Sequence, residues 1–336
     1  MKCSYKELFD LVAHIFEKYG CSQLQAVVIA QSLLYSECSG DSAHGLKIIK
    51  QHIDRIQDNG YNLNSEIHIL IDNPNFAKVD CNNMIGMYSA KMCMNLAIEK
   101  AKELGIYTVF ANNCNTCSAA FVYTLQAAKE GLIGILMSNT PATMAPFGGC
   151  TRLFGTNPLS YAIPAKNEKP IVFDMATSVV AKSTIVSYRD RGEIIPEGWA
   201  YDKKGKTTTD PQTALEGLMA PLGGAKGYGL SMMIDIFAGF LSGAGFLNNV
   251  NNFFNNDNTA MNVGQMFVAI NPVLIYGSDF YDNMDNYIRI IKSSKTNDRS
   301  NVRIPGERKI SNIEKGIRSG IDIEDSLYFE LCHLLK

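Results

Sequence analysis

Several familiar signatures are missing from these 336 residues. No G-x-G-x-x-G stands between a strand-like and a helix-like segment, and no G-x-x-x-x-G-K-[ST] occurs, so neither a Rossmann unit nor a phosphate loop can be argued. A G-x-S-x-G elbow is also lacking, which removes the usual serine-hydrolase argument. The formal net charge is only −2, so no bulk basic field exists to attract nucleic acid. The short basic clusters at Lys203, Lys204 and Lys206 and at Arg299 and Arg303 are mixed with acids and read as solvated surface. No run approaches the roughly 18 apolar residues of a membrane span, and the N-terminus shows no basic region followed by an apolar stretch. Nine cysteines, an odd number, are scattered from Cys3 to Cys332 without a repeating spacing. The economical expectation is a cytoplasmic protein with free thiols. Cys114 and Cys117 form a C-x-x-C, readable as a redox or metal pair or as two buried or strand-end thiols. The second reading is preferred and no metal is expected, since no other Cys/His pair sits at zinc-binding spacing.

What is present is the composition of an ordinary globular chain, 46% apolar and 19% charged, long enough for one large or two modest cores. The first third reads as helices. Ser4 and Glu7 have capping-box spacing, and Tyr5, Leu8, Val12, Ile15 and Tyr19 recur at helical spacing until Gly20. Leu24, Val27, Val28, Leu33 and Leu34 mark a second helix. Leu46, Ile49, Ile53 and Ile56 mark a third, closed by Gly60. The intervening Gly40-Asp41-Ser42-Ala43-His44-Gly45 breaks the pattern and frees polar groups from helix packing.

The texture changes near Asn75. Helices are expected over 88–104, 119–129 and 281–292, with another through Leu230, Met233, Phe237 and Leu241; strands are expected over 106–110, 132–137, 159–163, 171–175 and 266–270. An asparagine-dense stretch at 248–258 reads as a long polar loop. The resulting expectation is an α+β protein with a helical N-terminal domain, residues 1–74 joined by 300–336, beside a core domain of residues 75–299.

Glycine-rich turns punctuate the core: Pro146-Phe147-Gly148-Gly149, Gly155-Thr156-Asn157-Pro158, Asp174-Met175-Ala176-Thr177-Ser178, the run 221–229 (PLGGAKGYG), and Ile304-Pro305-Gly306-Glu307-Arg308. Such a turn feeding a helix lets backbone N–H groups approach a phosphate, and Lys226 could add a positive charge. Each alone is a weak signal, since most glycine clusters are simply tight turns. Together, and most specifically through LFGTNPLSYAIP (153–164), IVFDMATS (171–178), IPEGWAYDKKGKTTTDP (195–211) and PLGGAKGYGL (221–230), they resemble the malate/L-lactate dehydrogenase family. That group includes ureidoglycolate, sulfolactate and diketogulonate oxidoreductases and cyclic imine reductases.

The resemblance implies a non-Rossmann, L-sulfolactate dehydrogenase-like fold with a mixed or antiparallel sheet, NAD or NADP as cofactor, and a homodimer with the cofactor near the subunit interface. By matching position it implies that Ser138, Asp174, Met175, Ala176, Lys226, Gly306, Glu307 and Arg308 contact the dinucleotide. His44 looks like the family's proton donor, a role that suits a group titrating near neutral pH.

Three positions depart from the family pattern. Ala43 stands for a serine before the histidine. Ile48 stands for the arginine expected to clamp a substrate carboxylate, with Lys47 and Lys50 flanking it as point charges. Thr116 stands where the ureidoglycolate branch has a second histidine. A smaller departure is Ala225, where a histidine commonly precedes the lysine. The leading expectation is an NAD(P)H-dependent reductase of a small 2-oxo acid or related carbonyl or imine, with Lys47, Asn115, Thr116 and Thr156 as substrate contacts. The rival is a catalytically degenerate dinucleotide binder acting as a sensor or interaction partner; a third reading is a thiol redox protein using Cys114 and Cys117.

Overall fold

Tyr5, Leu8, Val12 and Ile15 fall on one face of a helix, and the computed structural model, which describes residues 1–254, 258–296 and 301–336, places them in α1 (Tyr5–Lys18). Ser4 caps it, accepting from the Glu7 amide; the reciprocal capping box forms instead one helix later, where Ser22 and Gln25 exchange bonds at the start of α2 (Gln23–Ser39). Gly40 ends α2 in the left-handed conformation. The pattern break that follows is a tight 3-10 turn, Ser42–His44, then a second one, Leu46–Ile48, leading into α3 (Ile49–Gln57). Leu8, Phe16, Ile29, Leu33, Leu46 and Ile49 bury their side chains together. The C-terminal segment completes this core: α8 (Glu307–Ser319) packs on α2, Ile321 pairs with Cys3, and Leu331 of α9 (Asp325–Leu334) is buried in the same cluster.

A seven-stranded sheet forms the rest of the frame. Its strands are β1 (His68–Asp72), β2 (Phe76–Asp80), β3 (Ile106–Cys114), β4 (Ile133–Ser138), β5 (Leu159–Ile163), β6 (Ile171–Met175) and β7 (Val263–Ile270), in spatial order β1-β2-β3-β7-β4-β5-β6. Only β2 and β3 run parallel, joined through α4 (Gly86–Leu104); every other neighbour is antiparallel. The expected α+β class with a mixed, largely antiparallel sheet is what the chain adopts.

α4 and α5 (Phe121–Lys129) cover one face of the sheet, and a π-helical turn, Asp235–Phe240, continues α6 (Ala225–Ile234) across the other. β7, covered on both sides, is nearly all buried, whereas β2, β4 and β5 alternate buried and half-buried residues. α7 (Phe280–Lys292) packs beside the sheet through Ile288, against Ile171.

Two expectations need adjusting. His68–Asp72, on the helical side of the boundary expected at residue 74, is the edge strand of the sheet, while the far boundary, at 299 and 300, lies outside the described residues, as does Arg299. The asparagine-dense stretch is not simply a solvated loop. Val250 and Phe253 are buried, Asn251 bonds the Ala260 carbonyl at 2.7 Å, and Asn255, Asn256 and Asp257 lie outside the described residues.

Candidate active site

β6 gathers the glycine-rich turns. The Val172 amide bonds the Pro305 carbonyl at 3.0 Å, and a Cβ on Gly306 would stand 2.4 Å from the Val172 carbonyl oxygen. Gly306 also has φ 81°, so the turn 304–308 can lie this close to β6 only with glycine there. At the strand's end the Thr177 amide bonds the Thr156 carbonyl (2.9 Å), and the Leu222 amide bonds the Thr177 carbonyl (2.9 Å). The turns containing Thr156, Asp174 to Ser178, Lys226 and Gly306 to Arg308 thus meet around one strand, far apart though they are in sequence. Ser138 sits two strands away at the end of β4, its amide on the Pro158 carbonyl at 3.3 Å.

These turns fit a dinucleotide. Gly224, at φ 63°, precedes the first turn of α6, where the Lys226 and Gly227 amides turn back onto the Gly223 and Leu222 carbonyls and only the Ala225 amide makes no backbone bond among the described residues; Gly306 precedes that of α8, where the Arg308 and Lys309 amides make none. Lys226 is exposed, and its ammonium makes no hydrogen bond or ion pair among the described residues. Among the described residues Thr177 Oγ1 is buried without a partner. Arg308 is exposed beside an open cavity of about 490 Å³, also lined by Lys292, Arg303 and Glu307; Glu307 is bound to Lys292 at 2.7 Å. Met175 and Ala176 are half-buried.

His44 reaches this region from the helical side. Both Asp41 carboxylate oxygens lie 3.0 Å from its Nδ1, which fixes Nδ1 as the nitrogen facing the acid and leaves Nε2 to exchange a proton. Burial disfavours the imidazolium, but the Asp41 bond and charge outweigh it, with Asp174 helping and Lys309 opposing, so the His44 pKa is raised. Asp41 shows the complement: burial pushes it up, the bond to His44 pulls harder, and its pKa is lowered. Burial lifts Asp174 above the usual carboxylate value against the pull of Lys309 and the Phe121 amide. The imidazole expected to be a proton donor and an aspartate expected to contact the cofactor therefore share one electrostatic neighbourhood.

Ser118 ties the two halves together. Its hydroxyl donates to the His44 carbonyl, and it holds φ 64°, unusual for a residue with a Cβ. Its amide bonds Thr116 Oγ1 at 3.3 Å, which brings Thr116 beside the His44 loop.

Other expected residues sit elsewhere. Asn115 is fully buried, its amide committed to Asn83 and the Met84 carbonyl, both at 2.8 Å, so it anchors a turn. Lys47 turns outward to pair with Glu324 at 3.0 Å. Ile48, at the family's arginine position, packs against the helical core. Cys114 and Cys117 are buried, and burial pushes the Cys117 thiol up to about 12. Among the described residues no group of three or more His, Cys, Asp or Glu is placed to hold a metal ion, and no helix is long and apolar enough to cross a membrane. Sequence reasoning missed Asp41, Ser118 and Lys309. The D-x-x-H spacing could have flagged Asp41, since i and i+3 are neighbours on a tight helical turn.

The chain is similar to known proteins over nearly its whole length. A family model described as malate/L-lactate dehydrogenase matches residues 3–332. The chain is 38% identical to a malate dehydrogenase of Pyrococcus abyssi over 98% of its own length and 93% of that protein. It is 33% identical to a ureidoglycolate dehydrogenase (NAD(+)) of Escherichia coli K12 over 98% and 94%. Among solved structures it superposes on the sulfolactate dehydrogenase of Methanocaldococcus jannaschii with a TM-score of 0.92 and 33% identity, covering 100% of this chain and 97% of the other. With a match spanning nearly its whole length, the chain belongs to the malate/L-lactate dehydrogenase family of oxidoreductases.

Proposed function

We propose that this protein is an NAD- or NADP-dependent dehydrogenase that interconverts a small 2-oxo acid, or a related carbonyl or imine, with the 2-hydroxy or amino acid. The observation that carries this reading is an imidazole gripped at Nδ1 by Asp41 and lying in the field of Asp174, on the strand where the glycine-rich turns meet. A bound dinucleotide would supply or accept the hydride. Lys226, Arg308 and the unbonded amides of Ala225, Arg308 and Lys309 would hold its phosphates. In reduction His44 gives its Nε2 proton to the substrate oxygen, and Asp41 stabilises the imidazolium beforehand and keeps the ring oriented. Thr116 and Thr156 would be the polar substrate contacts.

Relatives differ in cofactor: one is named for NAD(+) and a sulfolactate dehydrogenase of Chromohalobacter salexigens for NADP(+). Homodimer formation is part of the proposal. Supporting it are exposed apolar residues on the edge strand (Ile69, Leu70, Ile71) and along α6 and its π turn (Met232, Ile236, Phe240). We also propose a helical portion completed by the C-terminal segment, beside the sheet domain, and residence in a reducing cytoplasm, in keeping with nine free thiols.

Steady-state assays with NADH and NADPH across a panel of 2-oxo acids and cyclic imines test the activity. Turnover that collapses in His44→Ala is the expected result. Undiminished turnover in that variant, or none in the native chain, counts against it. Tight NAD(P)H binding by fluorescence without any oxidation would point instead to a degenerate sensor.

A further inference from the structure

We propose that Lys309 is the cation that holds the substrate's carboxylate in this chain, so that its substrates are anionic 2-oxo or 2-hydroxy acids and not neutral carbonyls or imines. The inference deepens the proposed function and rests on it for the position of the reacting carbon near His44.

The cations next to His44 in sequence are unavailable. Lys47 pairs with Glu324 at 3.0 Å and Lys50 with Asp54 at 2.7 Å, both on the exposed surface, and Ile48 between them is packed into the helical core. Lys309, in the first turn of α8, comes from the other direction. Its Nζ stands 3.6 Å from Asp174 Oδ2, beyond hydrogen-bond length, and 4.5 Å from the centre of the Phe121 ring. Phe121 belongs to the segment that starts at Ser118, whose hydroxyl bonds the His44 carbonyl, while its own amide bonds Asp174 at 3.3 Å. A continuous set of contacts therefore runs from His44 through Ser118 and Phe121 to the ammonium. The side chain is 28% exposed, open enough to be reached yet largely sheltered. Its charge also bears on Asp41 and His44, as expected of a cation facing the same space.

An ammonium has three donors. The Lys309 ammonium makes no hydrogen bond among the described residues; it rests over the Phe121 ring, with the Asp174 carboxylate 3.6 Å away. A substrate carboxylate can take the uncommitted donors while the adjoining carbonyl turns toward His44. A lysine grips as a point charge, without the planar fork of an arginine, so it accommodates acids of varied length.

The test uses the full chain as Lys309→Met, Lys309→Gln and Lys309→Arg, with thermal unfolding and NADH fluorescence confirming that each variant folds and binds cofactor. The probe is oxamate, titrated calorimetrically in the presence of saturating NADH. A charged hydrogen bond at a partly exposed site supports an expectation of about tenfold weaker oxamate binding in the Met and Gln variants. Lys309→Arg should restore most of it, and NADH affinity should stay within about twofold. In turnover, KM for 2-oxo acids should rise with little change in kcat, while the corresponding amides should respond equally poorly in all variants. Equal oxamate affinity in the native chain and Lys309→Met, no oxamate binding at all, or amides used as well as acids would overturn the assignment. Lys309-dependent oxamate binding without any turnover would leave the assignment standing and sink the proposed dehydrogenase activity. Turnover of 2-oxo acids indifferent to Lys309 would do the reverse.

Discussion

Replacing Asp41 by asparagine isolates one charge. The amide keeps the shape and can still accept from His44 Nδ1, now 3.0 Å from both carboxylate oxygens, but it no longer stabilises the imidazolium electrostatically. A hydrogen bond to a charged group contributes about 1.5–3 kcal/mol. Solvent reaches 42% of the His44 side chain, and screening reduces the figure to about 1 kcal/mol. The His44 pKa should therefore fall. The sign follows from the direction of the native shift: Asp41 raises the pKa, so its removal lowers it. In reduction the protonated ring is the active form, so the limb on which kcat/KM declines with rising pH should move to lower pH. NMR titration of the imidazole measures the same shift directly. An unmoved or upward-shifted His44 titration in Asp41→Asn would refute the assignment of Asp41 as its partner.

Other outcomes follow from the same geometry. Lys226→Ala should weaken NADH binding about fivefold and flatten its salt dependence, measured by fluorescence titration at several ionic strengths. Gly306→Ala forces a Cβ to within 2.4 Å of the Val172 carbonyl at φ 81°, and should cost at least 1–3 kcal/mol by denaturant unfolding; Gly148→Ala, at φ 84° with open space around it, should cost only about 1 kcal/mol. His52 is fully buried, and burial, then Arg55, pushes its pKa down to about 3 from 6.5. Below pH 6.5 the unfolded chain binds a proton that the folded chain refuses until about pH 3. The stability contributed by neutral His52 is thus present above 6.5 and is lost as pH falls through that window, by up to roughly 1.4 kcal/mol per pH unit. His52→Gln should remove this slope from the pH dependence of unfolding.

The turn-bounded elements are legible in the sequence. The expected strands at 159–163 and 171–175 coincide with β5 and β6, because glycine, proline and asparagine turns bracket both apolar runs. The first helices are equally clear, since each carries an apolar repeat and ends near a glycine, although α2 is buried nearly all round and leaves Leu24 and Val27 of the expected apolar set exposed. β1 is not legible: HILID is exposed throughout, so no alternation marks it, and its strand state comes from pairing with β2. β3 runs on to Cys114, beyond the expected end at Phe110, because Ala111 and Cys114 pair with β7 although the intervening asparagines carry no hydrophobic signal. The π turn Asp235–Phe240 is likewise invisible to a helical period; in the structure it carries Asp235 to the Asn139 amide at 3.2 Å and the Leu247 amide at 3.0 Å.

By itself the sequence determined the class of fold, the absence of a glycine signature for a Rossmann unit, and the places of the glycine-rich turns, because these depend on local periodicity and on backbone conformations that particular residues permit. It also placed His44 in a break between helices. Which distant groups surround His44 was decided only in three dimensions. Asp174, Ser118 and Lys309 come from a strand, a turn and a helix distant in the chain, and Asn115 and Lys47, near the mark in sequence, face a buried turn and the open surface. Charge and hydrogen bonding act over a few ångströms regardless of chain separation, so their partners are set by packing.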